Sequence, residues 1–241
     1  MRLPLDRRPV IVAVAGPNGA GKTTFYHAHL RSAGLRFVNT DVMARELKLE
    51  AYQAARMADV LRRQLVEQRE SFVFETVFSD PVGDKLAFLK EAAGIGYTVV
   101  LCFIGLTGPD VSEERVAMRV SQGGHDVPSA KLVSRFPRTV ANLQAAMREL
   151  PHVWVFDNDD LHESFRRIAV YEQGHPAFLA RSAPRWFSAL VPTSLYPPPL
   201  EPAVSAGGGA QSSKGGAMQL CRESLFAPKR ILTEVHKDHE E

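Results

Sequence analysis

The stretch Val10-Ile11-Val12-Ala13-Val14-Ala15-Gly16-Pro17-Asn18-Gly19-Ala20-Gly21-Lys22-Thr23-Thr24 decides how this chain is read. Its first six residues form a continuous apolar run, the pattern of a strand buried on both faces. Gly16 to Thr23 match Gly-x4-Gly-Lys-Ser/Thr in full, and Lys22–Ser32 reads as a helix. A strand before and a helix after is the context in which this motif binds phosphate. The glycines let the backbone wrap oxygens that a Cβ would block. Successive N–H groups and the positive end of the helix then face the phosphates. Lys22 is expected to reach the β- and γ-phosphates, and the Thr23 hydroxyl to ligate Mg2+. The expected nucleotide-binding residues are Gly16, Pro17, Asn18, Gly19, Ala20, Gly21, Lys22, Thr23 and Thr24. ATP is the expected nucleotide, since no Asn-Lys-x-Asp-type reader of guanine follows a later strand. Asp157-Asn158-Asp159-Asp160 stands there instead, to be read as a base-side loop or a polar turn.

Outward from this loop, four more apolar runs read as strands: Phe37–Asn39, Phe72–Glu75, Tyr97–Leu106 and His152–Phe156. Helical patterns fill the gaps at Val42–Glu70, Asp84–Ala93, Ser112–Val120 and Ser129–Leu150, with Ser129 near an N-cap and a kink or restart expected at Pro137. Strand alternating with helix predicts an α/β fold, a parallel sheet with helices on both faces. Phe165–Tyr171 partly alternates and could add a small strand pair before Gly174. From about Val191 the character changes. Five prolines between Pro192 and Pro202 precede the run Gly207 to Gly216, GGGAQSSKGG. Such a composition cannot offset its ordering entropy, so 1–190 reads as the folded domain and 191–241 as a disordered tail.

The 241 residues are 45% hydrophobic and 23% charged, with a formal net charge of +2, so no broad basic field calls for nucleic acid. The only cysteines, Cys102 and Cys221, have no metal-ligand or disulfide spacing and read as reduced thiols, Cys102 inside a strand. The apolar run at Val10–Ala15 is too short for a signal peptide, and no segment is long enough to span a bilayer. The expected compartment is the cytoplasm, with no membrane partner.

In open α/β sheets ligands sit beyond the carboxyl ends of the strands. Two acids fall there, Asp41 after Phe37-Val38-Asn39-Thr40 and Glu75 after Phe72-Val73-Phe74. Phosphorylation of a hydroxyl needs a carboxylate within hydrogen-bond reach of it and groups that hold the acceptor in line. Asp41 suits the first task, although it could equally cap the helix that follows; Glu75 suits the second. Either could instead hold Mg2+ through water. After the fourth strand come Arg115 and Arg119, four apart and hence on one helix face, then Gly123-Gly124-His125, then Arg135 and Arg138. Arginines around a Gly-Gly hinge are what a closing lid over a transferring phosphoryl group would carry, at about 112–138.

Together, GPNGAGKTT, NTD at the second strand end, FET at the third, ERVAMRV followed by GGHDVP, and Arg135 resemble the zeta-toxin-like P-loop kinases over roughly Val10 to Asp160. The resemblance implies a nucleotide-kinase-like sheet of order 2-3-1-4-5. It also implies transfer of the ATP γ-phosphate to a sugar hydroxyl, with the 3′-hydroxyl of the amino sugar in UDP-N-acetylglucosamine as the first acceptor to consider. Lys22 matches the loop lysine, Asp41 the catalytic base and Glu75 the acceptor-binding glutamate. Arg115 matches the first lid arginine, with Arg119 equally placed. Two departures bear on the acceptor side. Thr76 follows Glu75 directly where the toxins have Glu-Gly-Thr, and His125 stands at the second lid arginine, whose charge Arg119 or Arg135 would supply. Thr76 and His125 are therefore expected among the acceptor-binding residues. The chain looks closer to the chromosomal relatives than to the plasmid toxins, and an antitoxin is a further partner the resemblance suggests. Other readings of the same residues are a kinase of another nucleotide or dinucleotide such as NAD, and a non-catalytic ATP-dependent switch.

Overall fold

The central apolar runs become strands because their neighbours bury both faces. A computed structural model describes residues 3–122, 127–160 and 162–192. Val10–Ala15 (β1) is buried at all six positions and pairs in parallel with Phe72–Thr76 (β3) on one side and Thr98–Gly105 (β4) on the other. Arg36–Val38 (β2) extends the sheet beyond β3, and His152–Asp157 (β5) beyond β4. Arg166–Glu172 (β6) and His175–Leu179 (β7) then add antiparallel, giving the order β2-β3-β1-β4-β5-β6-β7. The parallel part has the expected 2-3-1-4-5 order. The strand pair expected near Phe165 exists, but as an extension of the same sheet.

Two layers cover the sheet. Ala13, Ala15, Phe72, Phe74, Leu101 and Phe103 face a core shared with Ala58 and Leu65 of Ala51–Glu67 (α3), Leu89 of Asp84–Gly94 (α4) and Leu143 of Ser129–Glu149 (α6). Each fully buried leucine or phenylalanine among them is worth about 1.5–3 kcal/mol. On the other side, Lys22–Phe25 (α1) continues as a wide turn over Tyr26–Leu30 and a tight one over Arg31–Ala33. Its Phe25 packs on Phe156 at 4.8 Å, and Tyr26 stacks on Phe37 at 3.6 Å.

Three helical expectations change. The single helix expected over Val42–Glu70 is two, Thr40–Glu46 (α2) and α3. Lys48 adopts φ 52 at the break, and the Glu50 N–H donates to Gln53 Oε1 at 3.3 Å to start α3. The lid helix begins earlier than expected, as Pro109–Ser121 (α5) with proline in its first turn. Helix α6 runs through Pro137 without restarting, with Ser129 as its first residue and Pro128 at the cap. Arg185–Ser188 (α7) closes the described part; its Trp186 indole donates to the buried Asp157 carboxylate at 2.9 Å. Cys102 is fully buried in β4, which pushes its thiol pKa up. Among the described residues no helix is long and apolar enough to cross a membrane. The tail beyond 192 and Cys221 lie outside the described residues.

Candidate active site

The register places Ala15 of β1 beside Thr76 of β3 and Phe103 of β4, so the loop after β1 leaves the sheet between the ends of its two neighbours. It must cross β4 closely. A Cβ on Gly16 would lie 2.2 Å from the Ile104 carbonyl oxygen, and Gly16 has φ +145, so glycine is required. Gly19, at φ +74, meets α5: a Cβ there would lie 3.0 Å from both the Arg115 Cβ and the Ser112 carbonyl oxygen.

Three carbonyls of the loop are tied down. Pro17 accepts from Lys22 Nζ at 2.9 Å, Asn18 from the Ser112 hydroxyl at 2.6 Å, and Ala20 from the buried Asn158 Nδ2 at 2.9 Å. Asn158 also accepts from the Phe165 N–H at 3.1 Å. Holding the carbonyls this way fixes the loop, whose helix-starting N–H groups have no intrahelical acceptor. The Asp157–Asp160 turn therefore braces the phosphate loop through Asn158. Ser112 and Asn158 did not stand out in the sequence as site residues, because their partners lie 94 and 138 positions away.

Lys22 is 6% exposed and sits 3.9 Å from Glu75 Oε1. Burial lowers its pKa, the Glu75 and Asp41 carboxylates raise it, and the Arg119 guanidinium lowers it further. Asp41, Glu75 and Arg119 are thus all close enough to act on the lysine charge. Glu75 Oε2 accepts from the Thr23 hydroxyl at 2.7 Å and from Asn39 Nδ2 at 2.8 Å. The other end of Asn39 caps α2, its Oδ1 accepting from the N–H groups of Asp41 at 2.9 Å and Val42 at 3.1 Å. Asn39, and not Asp41, is the helix cap. The Asp41 carboxylate is exposed and makes no hydrogen bond among the described residues.

Thr24 is exposed beside Thr23. Thr76 accepts from the Phe78 N–H at 3.0 Å, turning the chain after β3. Arg115 donates to the Asp159 carbonyl at 2.8 Å and stands over Gly19. The side chain of Arg135, on α6, makes no hydrogen bond or ion pair among the described residues; its backbone carbonyl accepts from Thr139. His125 and the Gly123-Gly124 hinge lie outside the described residues. The site thus combines a loop shaped for phosphates, a buried cation, a hydroxyl with a carboxylate at its side, and an exposed second carboxylate.

Residues 11–135, a little over half of the chain, match the family described as AAA domain. The protein belongs to that family. No curated protein matches this AAA-domain chain in sequence. Its fold is that of the P-loop nucleotide kinases. Among solved structures it is similar to the AvrRxo1-ORF1:AvrRxo1-ORF2 complex with sulphate ions, at TM-score 0.57 and 19% identity over 70% of this chain and 60% of that one. The AvrRxo1 complex with ATP gives TM-score 0.56 at 19% identity, with the same coverage. The PezAT chromosomal toxin–antitoxin system of Streptococcus pneumoniae gives TM-score 0.48 at 14% identity, over 68% of this chain and 72% of that one. The chain spans about 60% of the length of the AvrRxo1 chains it matches.

Proposed function

We propose that this AAA-domain protein is an Mg-ATP-dependent phosphotransferase acting on an alcohol group of a small molecule, with domain 1–190 carrying the activity in the cytoplasm. One observation carries the proposal: Asn39, and not Asp41, caps α2, which leaves Asp41 with an exposed, unbonded carboxylate in the first turn after β2, at the end of the sheet where the phosphate loop leaves β1. A carboxylate so placed can take the proton of an acceptor hydroxyl as that oxygen attacks the γ-phosphate. Lys22, Arg115 and Arg119 offset the charge of the moving group, and Arg135 is the further lid cation.

Thr23 and Glu75 are an oxygen pair 2.7 Å apart. Mg2+ favours this kind of site, taking few protein oxygens and completing its shell with water and phosphate. The pair would hold the ion, which when bound draws charge from the phosphate oxygens. Among the described residues no cluster of three or more His, Cys, Asp or Glu competes for a metal.

The AvrRxo1 structure determined with ATP accords with ATP as the donor. The zeta-toxin resemblance supports a sugar hydroxyl as acceptor, with UDP-N-acetylglucosamine first, Thr76 and His125 on the acceptor side, and an antitoxin as a protein partner; it would set Glu75 on the acceptor side too, the alternative to its place with Thr23. The test is a scan of nucleotide sugars and dinucleotides, including NAD, with labelled ATP, repeated with Asp41→Asn. Transfer to one acceptor class, lost in the variant while nucleotide binding persists, is expected. Undiminished transfer by Asp41→Asn removes Asp41 from the chemistry; no transfer to any acceptor favours an ATP-dependent switch.

A further inference from the structure

We propose that the cleft between α3 and α4 is a binding site for a small oxyanion, a phosphate or carboxylate group. The cleft encloses about 250 Å³ and is lined by Asp59, Arg62, Arg63, Asp84, Lys85 and Phe88. That is room for a multi-atom anion rather than a single water. Its lining carries three cations and two carboxylates. Asp59 Oδ1 serves two of the cations, pairing with Arg62 and with Lys85 Nζ at 2.8 Å. Arg63 lines the same cleft, is exposed, and has no hydrogen bond or ion pair among the described residues. Asp84 is exposed in the first turn of α4 and likewise makes no ion pair there. Asp80, just before the helix, accepts from the Lys85 N–H at 3.2 Å.

Arg62 makes the cleft a built site. It is 4% exposed, its guanidinium lies 5.0 Å over the Phe74 ring, and Asp59 is its only hydrogen-bond acceptor among the described residues. A guanidinium has five N–H donors in a planar fork that fits two oxygens of a carboxylate or phosphate. Burial and the nearby Arg63 lower the Arg62 pKa to about 10. Burial, then Arg62, lower that of Lys85, against the opposing effect of Asp80 and Asp84. Burial first, and a neighbouring arginine second, thus weigh against the charge of Arg62 and of Lys85, and a bound anion would offset both. A purely structural ion pair would need Arg62 and Asp59, but neither the open cleft nor the unpaired Arg63 beside them.

The site rests on this geometry and not on the kinase reading. Two sources could supply the anion: a free ion acting as an effector, or an anionic group of the small-molecule acceptor. The test uses the full chain carrying Lys22→Ala, which weakens phosphate binding by the loop. Thermal unfolding is followed in inorganic phosphate and in chloride at equal ionic strength. Phosphate at about ten times its Kd should raise Tm by roughly 3–6 °C. Adding Arg63→Ala or Lys85→Gln should remove at least half of that rise. No rise in folded Lys22→Ala protein, or a rise undiminished by the two substitutions combined, overturns the proposal. Exposed, unpaired Arg63 makes Arg63→Ala a substitution with little bearing on folding. With an acceptor in hand, a KM raised at least tenfold by Arg63→Ala at constant kcat assigns the anion to the acceptor. An unchanged KM with the phosphate response lost assigns it to an effector. Failure of the kinase reading leaves the phosphate measurement intact.

Discussion

Asp41 and Glu75 look alike in the sequence, each an acid at the end of an apolar strand, yet the fold gives them opposite surroundings. Glu75 accepts from Thr23 and Asn39 and lies near buried Lys22, so in the proposed site it would belong to a bonded donor side. Asp41 is exposed, its backbone held by Asn39 and its carboxylate left unbonded, so in the proposed site it would belong to an open acceptor side. A strand-end acid is thus not one kind of residue. The difference arises from Asn39, whose carbonyl end holds α2 and whose amide end holds Glu75. One asparagine keeps one acid bound and leaves the other available.

The strongest way to break this contrast is Asp41→Asn. Removal of a general base costs about 10²–10⁴-fold in rate, so kcat should fall by that factor. Displacement of a fluorescent nucleotide should show ATP affinity little changed, since no bond in the loop involves the carboxylate. A parallel loss of ATP binding would mean that the two sides are not separate.

Glu75→Gln attacks the donor side. Loss of the carboxylate should slow transfer about 10²-fold, the scale of a removed electrostatic contact, and should raise the Mg2+ concentration needed for half-maximal rate. A variant that changes only the acceptor KM, with the Mg2+ dependence of wild type, would move Glu75 to the acceptor side as the zeta-toxin resemblance has it. Asn39→Ala should then affect both sides, costing about 0.5–2 kcal/mol of stability through the lost cap and lowering kcat as well. Chemical denaturation with paired kinetics measures both; a loss of stability at unchanged kcat would reduce Asn39 to a cap.

Asn158→Ala tests the support of the donor side from behind. The buried amide bridges the Ala20 carbonyl and the Phe165 N–H, and leaving such groups unsatisfied costs about 1–3 kcal/mol. Urea unfolding should register that loss, together with weaker ATP binding. Full stability in the variant would mean that the loop keeps its shape without the brace.

How much of this was legible depended on sequence distance. β1, the loop and the start of α1 are consecutive, so apolar run, glycines and lysine announce one another. Four of the five parallel strands were readable because burial on both faces makes each largely apolar; β2, at the sheet edge, is short and starts with the exposed Arg36. The break between α2 and α3 was not, since Lys48 turns the chain at φ 52 where no glycine or proline marks the place. The attachment of β6 to β5 was also hidden, because local alternation shows a strand but not its partner. At the site, Lys22 and Thr23 were evident from the motif alone. The role of Asn39 was not, because it depends on Glu75, 36 residues away, being brought to its amide.

The smallest expected effect concerns the boundary of the active unit. All the bonds that define the donor side run among residues from Gly16 to Phe165, and the last element around them, α7, ends at Ser188 with Trp186 bonded to Asp157. Truncation after Pro192 should therefore leave the melting temperature nearly unchanged and transfer within about twofold of the full chain. A switch that recruits a partner through 193–241 would instead lose an ATP-dependent partner affinity on truncation. A large fall in kcat with ATP binding retained would place a needed group beyond Pro192. With ATP binding retained, that group would be sought on the acceptor side of the proposed site, where the Asp41 carboxylate stands open.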